Sequence, residues 1–267
     1  MIERVNEDKK ELVFNTIGDQ FGKCLYLYLD LKKYGFDNPN ISIWISKNNN
    51  NDIDAIVLKY YSGMHVFSPN GEVDIEDIRD LVEKERPTLI CAERSIIEKL
   101  ERSGGFEIFD SEYGWVRCLD SIEQGDESGI IKEPSEEEFR QLTELLLSDP
   151  DIGGSYTFDS MYNQIIERYQ DGYGRDYILK DGDRVIAHAG TGAEDDKLGI
   201  LNYAITDPDY RKRGIAMKLC TSVCHDLTKE GRKVFLINYS DASTALYDKL
   251  GFKVYCEWGK LFINNEG

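Results

Sequence analysis

A strand, a basic turn and an amphipathic helix follow one another without a break between residues 197 and 229. The strand-like segment "KLGILNYAIT" ends shortly before Pro208, and apolar residues then recur at helical spacing from Ile215 to Leu227. The helix must bury its apolar stripe, and a sheet that contains the preceding strand supplies a suitable surface. This arrangement predicts a layered α/β domain.

Sequence signals of helices, turns and strands also lie on both sides of this segment, from residue 129 onward. Ser135 is followed three residues later by Glu138, a capping-box pattern that predicts the start of a helix. Asp181 and Gly182 lie between two β-rich runs and predict a hairpin turn. At the end of the sequence, "FKVYCEW" and "KLFIN" predict two short strands. The predicted order of elements after residue 129 is therefore βααβββαβαββ.

In residues 1–128, predicted strands and helices alternate in a similar way, but fewer motifs suggest a function. The strand-like runs "ISIWIS", "DAIVLKYY" and "MHVFS" precede the helical pattern "DIEDIRDLVEK", and the asparagine run "KNNNND" is typical of a solvated hairpin tip. Because the two halves have similar patterns, we expect two domains, residues 1–128 and residues 129–267, that are copies of one fold.

The charge balance and the lengths of the apolar runs exclude several classes of partner. The chain has 50 acidic against 32 basic side chains and a formal net charge of −18, whereas a nucleic-acid surface needs clustered cations. The longest apolar runs have strand length, short of the ~20 residues that cross a bilayer. The segment "MIERVNEDKKELVF" lacks the apolar stretch of an export signal. We expect a cytoplasmic monomer or homodimer with no nucleic-acid or membrane partner.

The six cysteines are scattered through the predicted strands and helices, as is typical of reduced thiols packed in cores. Cys220, Cys224 and His225 lie close together on one predicted helix, which would also suit a metal ion. No second pair of ligands accompanies them. Core packing is therefore the better interpretation, and we expect no metal.

Three cations stand at the mouth of the predicted helix, in the segment "RKRGIA". A helix N-terminus presents unpaired backbone N–H groups and about half a positive charge, so it attracts anions. Gly214 would let an anion approach the backbone closely, and Arg211 and Arg213 would add forked donors that suit phosphate oxygens. A solvated basic helix start without a ligand is the alternative. A pyrophosphate is thus a candidate ligand for this segment.

Two segments of the sequence, in this order, resemble the GNAT superfamily of acyl-CoA-dependent N-acyltransferases. The segment "ITDPDYRKRGIA" is similar to the strand and pyrophosphate loop of that family, and "LYDKLGF" is similar to the segment that follows its fifth strand. The resemblance covers roughly residues 129–267. It implies an α/β fold with a mixed, mostly antiparallel sheet flanked by helices, here with two such domains in tandem. It also implies acetyl-CoA as the co-substrate.

The resemblance further implies roles for individual residues. Backbone N–H groups of residues 213–216 would hold the coenzyme pyrophosphate, and one N–H on the preceding strand edge would polarise the thioester carbonyl and stabilise the oxyanion. The coenzyme-binding residues that we expect are Ile205, Thr206, Arg211, Lys212, Arg213, Gly214, Ile215, Ala216, Asn238, Ser240 and Ser243.

Two of these positions depart from the pattern of the family. Ser240 stands where many relatives have an asparagine, and Ser243 stands where an alanine is frequent. Asn238, two residues earlier, could take the place of the missing asparagine. The departures concern the contacts with the pantetheine arm rather than the pyrophosphate site.

The resemblance gives one catalytic residue, Tyr247, which matches the tyrosine that commonly protonates the leaving thiolate. A phenol with a pKa of ~10 can donate a proton to a thiolate whose acid has a pKa of ~8.5. A plain core tyrosine is the alternative. For the base that deprotonates the amine, Tyr203, Glu194 and Asp207 are candidates, and a water relay or an acid from the first half stays open.

The first half offers no second coenzyme site. Its corresponding segment, "FSPNGEVDIEDIRD", contains Glu72, Asp74, Glu76 and Asp77, which would repel a pyrophosphate. We expect residues 1–128 to form a degenerate GNAT-like or accessory domain that packs against the catalytic half and walls the acceptor cleft.

These features together predict an N-acetyltransferase that transfers an acetyl group from acetyl-CoA to a primary amine by direct attack in a ternary complex. A non-catalytic acyl-CoA sensor or interaction module is the alternative. It is favoured because the predicted strands that would line the site contain no clear base for the amine. The acceptor, a small molecule or a peptide amine, stays open, as does the length of the acyl chain.

Overall fold

The structure, a computed structural model, describes residues 2–154 and 156–264 and divides into two compact units. Unit 1 comprises the described residues of Met1–Arg117, Ile237–Ser240 and Val254–Gly267, and unit 2 comprises those of Cys118–Leu236 and Asp241–Lys253. This division differs from the boundary expected after residue 128, because the last strand of the chain pairs with a strand of unit 1.

The elements alternate along the chain as the sequence pattern indicates. The helices are α1 (Lys10–Ile17), α2 (Leu25–Tyr34), α3 (Ile75–Glu85), α4 (Arg94–Ser103), α5 (Glu136–Leu147), α6 (Pro150–Gly153), α7 (Phe158–Gln170), α8 (Ile215–Lys229) and α9 (Asp241–Leu250). The strands are β1 (Ile2–Val5), β2 (Ile41–Lys47), β3 (Ile53–Tyr60), β4 (Gly63–Phe67), β5 (Leu89–Glu93), β6 (Glu107–Leu119), β7 (Asp176–Asp181), β8 (Arg184–Glu194), β9 (Leu198–Thr206), β10 (Lys233–Asn238) and β11 (Lys253–Asn264).

The sheet of unit 1 has the strand order β1-β2-β3-β4-β5-β11. Successive strands from β1 to β4 are antiparallel, β4 and β5 are parallel, and β11 is antiparallel to β5. Gly259 lies inside β11 opposite Ala92, so the expected break between two short strands is wrong. A Cβ atom at position 259 would lie 3.0 Å from the Ile97 side chain. Close packing, rather than a turn, therefore accounts for this glycine.

The sheet of unit 2 has the order β10-β9-β8-β7, in which β7, β8 and β9 are antiparallel neighbours and β9 and β10 are parallel. Gly182 has φ 59° in the turn between β7 and β8, as the hairpin pattern predicts. The register between β9 and β10 covers only Leu198–Ile200 and Lys233–Phe235. Among the described residues, the rest of β9 has register partners in β8 alone. The edge of β9 that faces β10 is therefore open along its second half.

A β-bulge interrupts β9 beside this open edge. Between the pairs His188–Ile205 and Gly190–Asn202, β8 has one residue and β9 has two. One of these two is Tyr203, whose φ of 53° is uncommon for a residue other than glycine. Bulges bend a strand and redirect its side chains, and they are frequent next to active sites.

Each unit has a buried apolar core of its own. In unit 1, side chains of α3 and α4 pack with those of the strands, and Ile97 is completely buried. In unit 2, the predicted stripe of α8 buries Leu219, Val223 and Leu227 completely, with Ile215 packed at its margin. Each fully buried leucine or valine contributes ~1.5–3 kcal/mol relative to an exposed one. The stripe therefore fixes the position of the helix start that follows β9.

Some elements differ from the sequence prediction. The strands and helices of the first half lie where the patterns indicate, but β1 and α1 fall in a charged segment that the patterns left without structure. The strand expected next to residue 129 is reduced to one isolated bridge between Ile131 and Ile178. Within the described residues, none of the helices combines the length and the apolar character that a membrane crossing requires.

Candidate active site

A cleft of about 680 Å³ in unit 2 lies between the end of β9, the basic turn and the first turn of α8, with α9 on the other side. Most of the residues that the sequence assigns to coenzyme binding line it. These are Ile205, Thr206, Arg211, Lys212, Gly214, Ile215, Ala216 and Ser243. The hydroxyl of Thr206 is buried and has no hydrogen-bond partner among the described residues. The cleft thus offers a polar atom that a ligand could satisfy.

The start of α8 is uncapped. Its N-cap residue is Gly214, with φ 79°, which has no side chain that could accept a hydrogen bond from the first turn. Lys218 N–H donates to the Gly214 carbonyl at 3.0 Å, so the preceding N–H groups of Ile215, Ala216 and Met217 have no partner inside the helix. Apart from residue 214 and its two chain neighbours, no atom of the described residues lies within 4 Å of the place where a Cβ of residue 214 would be. The first-turn N–H groups of this helix therefore carry the partial positive charge of a helix start, which favours an anion.

The basic side chains are held at this helix start by the turn itself. Arg211 donates from Nε to the Thr206 carbonyl at 3.0 Å. Arg213 donates from Nη2 to the Asp209 carbonyl at 2.9 Å, and its guanidinium carbon lies 4.9 Å from the centre of the Tyr210 ring. Since guanidinium groups keep their charge at every physiological pH, the turn before α8 carries two positive charges that its own backbone holds in place.

A buried polar chain lies behind the bulge in β9. His188, which is completely buried, has Nδ1 2.8 Å from the Tyr203 carbonyl oxygen and Nε2 2.9 Å from Asp176 Oδ1. Arg168 donates from Nη2 to the same carboxylate oxygen at 3.2 Å, and its guanidinium carbon lies 5.7 Å from the centre of the Tyr203 ring. His188 lies in the β-rich run that follows Asp181 and Gly182, and the sequence pattern gives no sign of this chain of contacts.

Two of the three candidate bases are committed to structural contacts. Glu194 accepts from Arg175 through both carboxylate oxygens, at 2.9 and 3.0 Å, and also from Arg232 at 2.9 Å. Asp207 caps a short 3₁₀ helix and pairs with Arg184. The third candidate, Tyr203, has a pKa raised above its ordinary value by burial, which makes it a hydrogen-bond donor rather than a base near neutral pH.

Four of the predicted site residues do not line the cleft. Arg213 points into the turn, as described above. Asn238 and Ser240 belong to unit 1, where Asn238 Oδ1 accepts from Arg117 Nε at 3.0 Å and Asn238 Nδ2 donates to the Ser240 carbonyl at 3.1 Å. Tyr247 is half-buried, and its ring packs edge-on against Phe252 with 5.9 Å between the ring centres.

Other cleft residues were missed by the sequence analysis. From α9, Ala245, Leu246 and Lys249 join Ser243 along the cleft. Ser243, Leu246 and Lys249 are three residues apart, and this spacing is the signal of one helix face. Asp149 also lines the cleft, 3.8 Å from Arg211. Nothing local in the sequence marks Asp149, because only the folded chain brings it to the turn.

One cluster in unit 2 has the composition of a metal site. Ligand atoms of Glu127, His225 and Asp226 lie within 4.8 Å of one another. The Lys132 ammonium group donates to Glu127 at 2.9 Å and to Asp226 at 2.8 Å, so a cation of the chain itself already joins the two carboxylates. Cys220 on the same helix is completely buried, and burial raises the pKa of its thiol to about 12.

Part of this chain is similar to a known protein family. Residues 139–252 match the model of the acetyltransferase (GNAT) family. The sequence matches no curated protein significantly. A Drosophila protein of known structure gives a TM-score of 0.65 at 13% identity, with 97% of this chain and 98% of that chain covered.

Two further solved structures are GNAT proteins by description. A GCN5-related N-acetyltransferase from Sphaerobacter thermophilus gives a TM-score of 0.61 at 14% identity, over 98% of this chain and 94% of that chain. A tandem GNAT protein from the clavulanic acid biosynthesis pathway gives 0.56 at 13% identity, over 98% of each chain. At these identities the likeness establishes the fold. This chain is therefore a GNAT-fold protein whose residues 139–252 form an acetyltransferase domain of the GNAT family.

Proposed function

We propose that this protein is an N-acetyltransferase that transfers an acetyl group from acetyl-CoA to a primary amine by direct attack in a ternary complex. The observation that carries the proposal is the uncapped start of α8, which faces the cleft with Gly214 at its tip and cations beside it. We also propose a cytoplasmic location, because the composition is acidic and the cysteines are dispersed and free.

The coenzyme pyrophosphate fits the start of α8. Its oxygens would accept from the N–H groups of the first turn, and Gly214 leaves the space that a side chain would fill. Arg211, Lys212 and Arg213 would supply the opposing charge. In a chain with a net charge of −18, this local reversal of sign would also guide an anionic ligand to the cleft.

The pantetheine arm would run along the open edge of β9. The half of the strand beyond Ile200 has no register partner in β10 among the described residues, so its backbone groups on that side can pair with the amides of the arm. Ile205 and Thr206 would provide this edge, with Ser243 across the cleft. One N–H of the strand would polarise the thioester carbonyl and stabilise the oxyanion of the tetrahedral intermediate.

The amine has to lose a proton, and the leaving thiolate has to gain one. Tyr247 is our candidate for the proton donor, after a small movement of a side chain that is half-buried beside the cleft residue Leu246. Because Glu194 and Asp207 are engaged in ion pairs, we assign the deprotonation of the amine to water rather than to either carboxylate. We propose that unit 1 is an accessory unit without a coenzyme site.

A non-catalytic acyl-CoA sensor is the second candidate function. It is favoured by the position of Tyr247 outside the lining of the cleft and by the engaged carboxylates. Such a protein would bind acetyl-CoA through the same helix start but would not turn it over.

A thiol-release assay separates the two functions. The protein is incubated with acetyl-CoA and a panel of primary amines, including polyamines, amino acids and peptides with free N-termini, and each amine is matched with its tertiary analogue. An acetyltransferase releases free thiol with at least one primary amine and not with its tertiary analogue. A thermal shift with acetyl-CoA but no amine-dependent release across the panel would favour the sensor.

A further inference from the structure

We propose that His188 is a positioning residue of the acetyl-transfer site, which holds the bulged backbone of β9 where the thioester would lie. The effect on turnover that we expect rests on the proposed function. Its geometric basis is the contact between His188 Nδ1 and the Tyr203 carbonyl oxygen at 2.8 Å.

The contact determines which ring nitrogen carries hydrogen. A carbonyl oxygen can only accept, so Nδ1 of His188 must be the donor toward Tyr203. On the other side, Nε2 lies 2.9 Å from Asp176 Oδ1, and one further proton lies between these two atoms. The ring is completely buried, so water does not compete for either contact.

Surrounding residues hold the ring in this orientation. Arg168 bonds to Asp176 at 3.2 Å and so fixes the carboxylate that faces Nε2. A Cβ atom at Gly190 would lie 2.9 Å from His188 Nε2, 3.1 Å from Asp176 Oδ1 and 2.4 Å from the Arg175 carbonyl oxygen. Only glycine at this position leaves room for the His188–Asp176 pair.

Both ends of the Tyr203 backbone are thus held by side chains. Its N–H donates to Asn202 Oδ1 at 2.9 Å, and its carbonyl accepts from His188. The positive φ of Tyr203 is unfavourable for a residue with a side chain, and such a conformation persists where its surroundings determine it.

The N–H groups that follow the bulge take their direction from the fixed residue Tyr203. Because Asp207 N–H donates to the Ile186 carbonyl in this antiparallel pair, the N–H of Thr206 is the one that faces the open edge. Its aim at the thioester carbonyl therefore depends on His188.

Two substitutions with opposite geometry test the role. His188→Asn places an amide N–H donor near the position of Nδ1 and abandons the contact with Asp176. His188→Gln places its amide near the position of Nε2 and abandons the Tyr203 carbonyl. We expect His188→Gln to lower kcat by ~10–100-fold, the size of effect that a small misplacement produces, with the KM for acetyl-CoA within about threefold of wild type. We expect His188→Asn to keep kcat within about threefold.

The difference in kcat between the two variants tests the proposal. Equal losses in both, or wild-type kcat in both, would overturn it, whatever their melting temperatures. A purely structural histidine would change stability in both variants without separating their kcat values.

A second measurement uses the wild-type protein and needs no turnover. In the ¹⁵N spectrum of the histidine rings, His188 Nδ1 should carry a directly bonded hydrogen that exchanges slowly with water. An unprotonated Nδ1 would overturn the proposal even if a variant fails to fold. If no amine is acetylated by wild type, the proposed function fails, while the spectrum still tests the contact between His188 and Tyr203.

Discussion

Helices α3 and α8 begin with opposite chemistry. The N-cap of α3 is Asp74, whose Oδ1 accepts from the N–H groups of Glu76 at 3.1 Å and Asp77 at 3.3 Å. The N-cap of α8 is Gly214, which has no side chain to cap the first turn. The residues next to α3 are acidic, and those before α8 are Arg211, Lys212 and Arg213.

The difference shows what separates a structural helix start from one that can bind a ligand. In unit 1, a carboxylate of the chain occupies the place where an anion would bind, and it stabilises the helix by ~0.5–2 kcal/mol. In unit 2, the chain forgoes this cap and leaves the same groups open toward a cleft. A local sacrifice of stability of this kind is typical of functional sites.

The largest expected effect comes from giving α8 the cap that α3 has. Gly214→Asp places a carboxylate at the open helix start, where it would occupy the N–H groups and repel the pyrophosphate. We expect acetyl-CoA affinity to fall by ~100-fold or more, since juxtaposed like charges cost several kcal/mol. Titration calorimetry on the full chain measures this loss.

Gly214→Asn is the matched control for this substitution. Asparagine has the same shape as aspartate and tolerates a positive φ equally well, but it carries no charge. It should retain clearly more affinity than Gly214→Asp. Equal affinity in the two variants would show that no phosphate binds at this helix start.

The next effect in size concerns Tyr247. Tyr247→Phe keeps the ring and its packing against Phe252 but removes the only proton that the side chain can give. We expect kcat to fall by ~100-fold, near the lower end of what general acid catalysis contributes because a water can replace the phenol. Acetyl-CoA affinity should stay within a fewfold of wild type. Near-wild-type kcat would assign Tyr247 to the core instead.

A smaller effect is expected from removing the cap of α3. Asp74→Ala should lower the free energy of unfolding by ~1 kcal/mol, whereas Asp74→Asn should be nearly neutral because asparagine caps equally well. Neither variant should alter acetyl-CoA binding. Urea unfolding and calorimetry check the two statements, and a gain of a second coenzyme site in Asp74→Ala would break the comparison, because only the carboxylate would then have kept unit 1 from binding.

The smallest effect is a dependence of stability on pH that arises in unit 1. Burial lowers the pKa of His65 from 6.5 to about 4. Below pH 6.5 the unfolded chain takes up a proton that the folded chain refuses until about pH 4, so stability is lost as pH falls through this window and is unaffected above it. His65→Phe, which keeps a ring beside Tyr26, should flatten the curve. Identical free energies of unfolding from urea titrations at pH 7 and pH 5 would contradict this.

The sequence predicts most of the elements and the turn that lines the cleft. The capping box at Ser135 and Glu138 is present, and α8 begins directly after Gly214 as its apolar stripe indicates. These features depend on short-range spacing, which a sequence displays directly.

The features that the sequence could not predict depend on distant contacts. The pairing of β11 with β5, the approach of Asp149 to Arg211 and the contact of His188 with Tyr203 each join segments that are far apart in the chain or in different elements. The local sequence pattern predicts a break between two strands at Gly259. In the structure, the side chain of Ile97 lies close to this glycine, which the pattern does not indicate. Local patterns carry no information about such packing.

The most direct test of the account is the number of acetyl-CoA molecules that the full chain binds. Calorimetry should give one site per chain for wild type and for Asp74→Ala, and no measurable site for Gly214→Asp at the same concentrations. Two sites in the wild-type chain, or one undiminished site in Gly214→Asp, would contradict the claim that the open start of α8 is where the coenzyme binds.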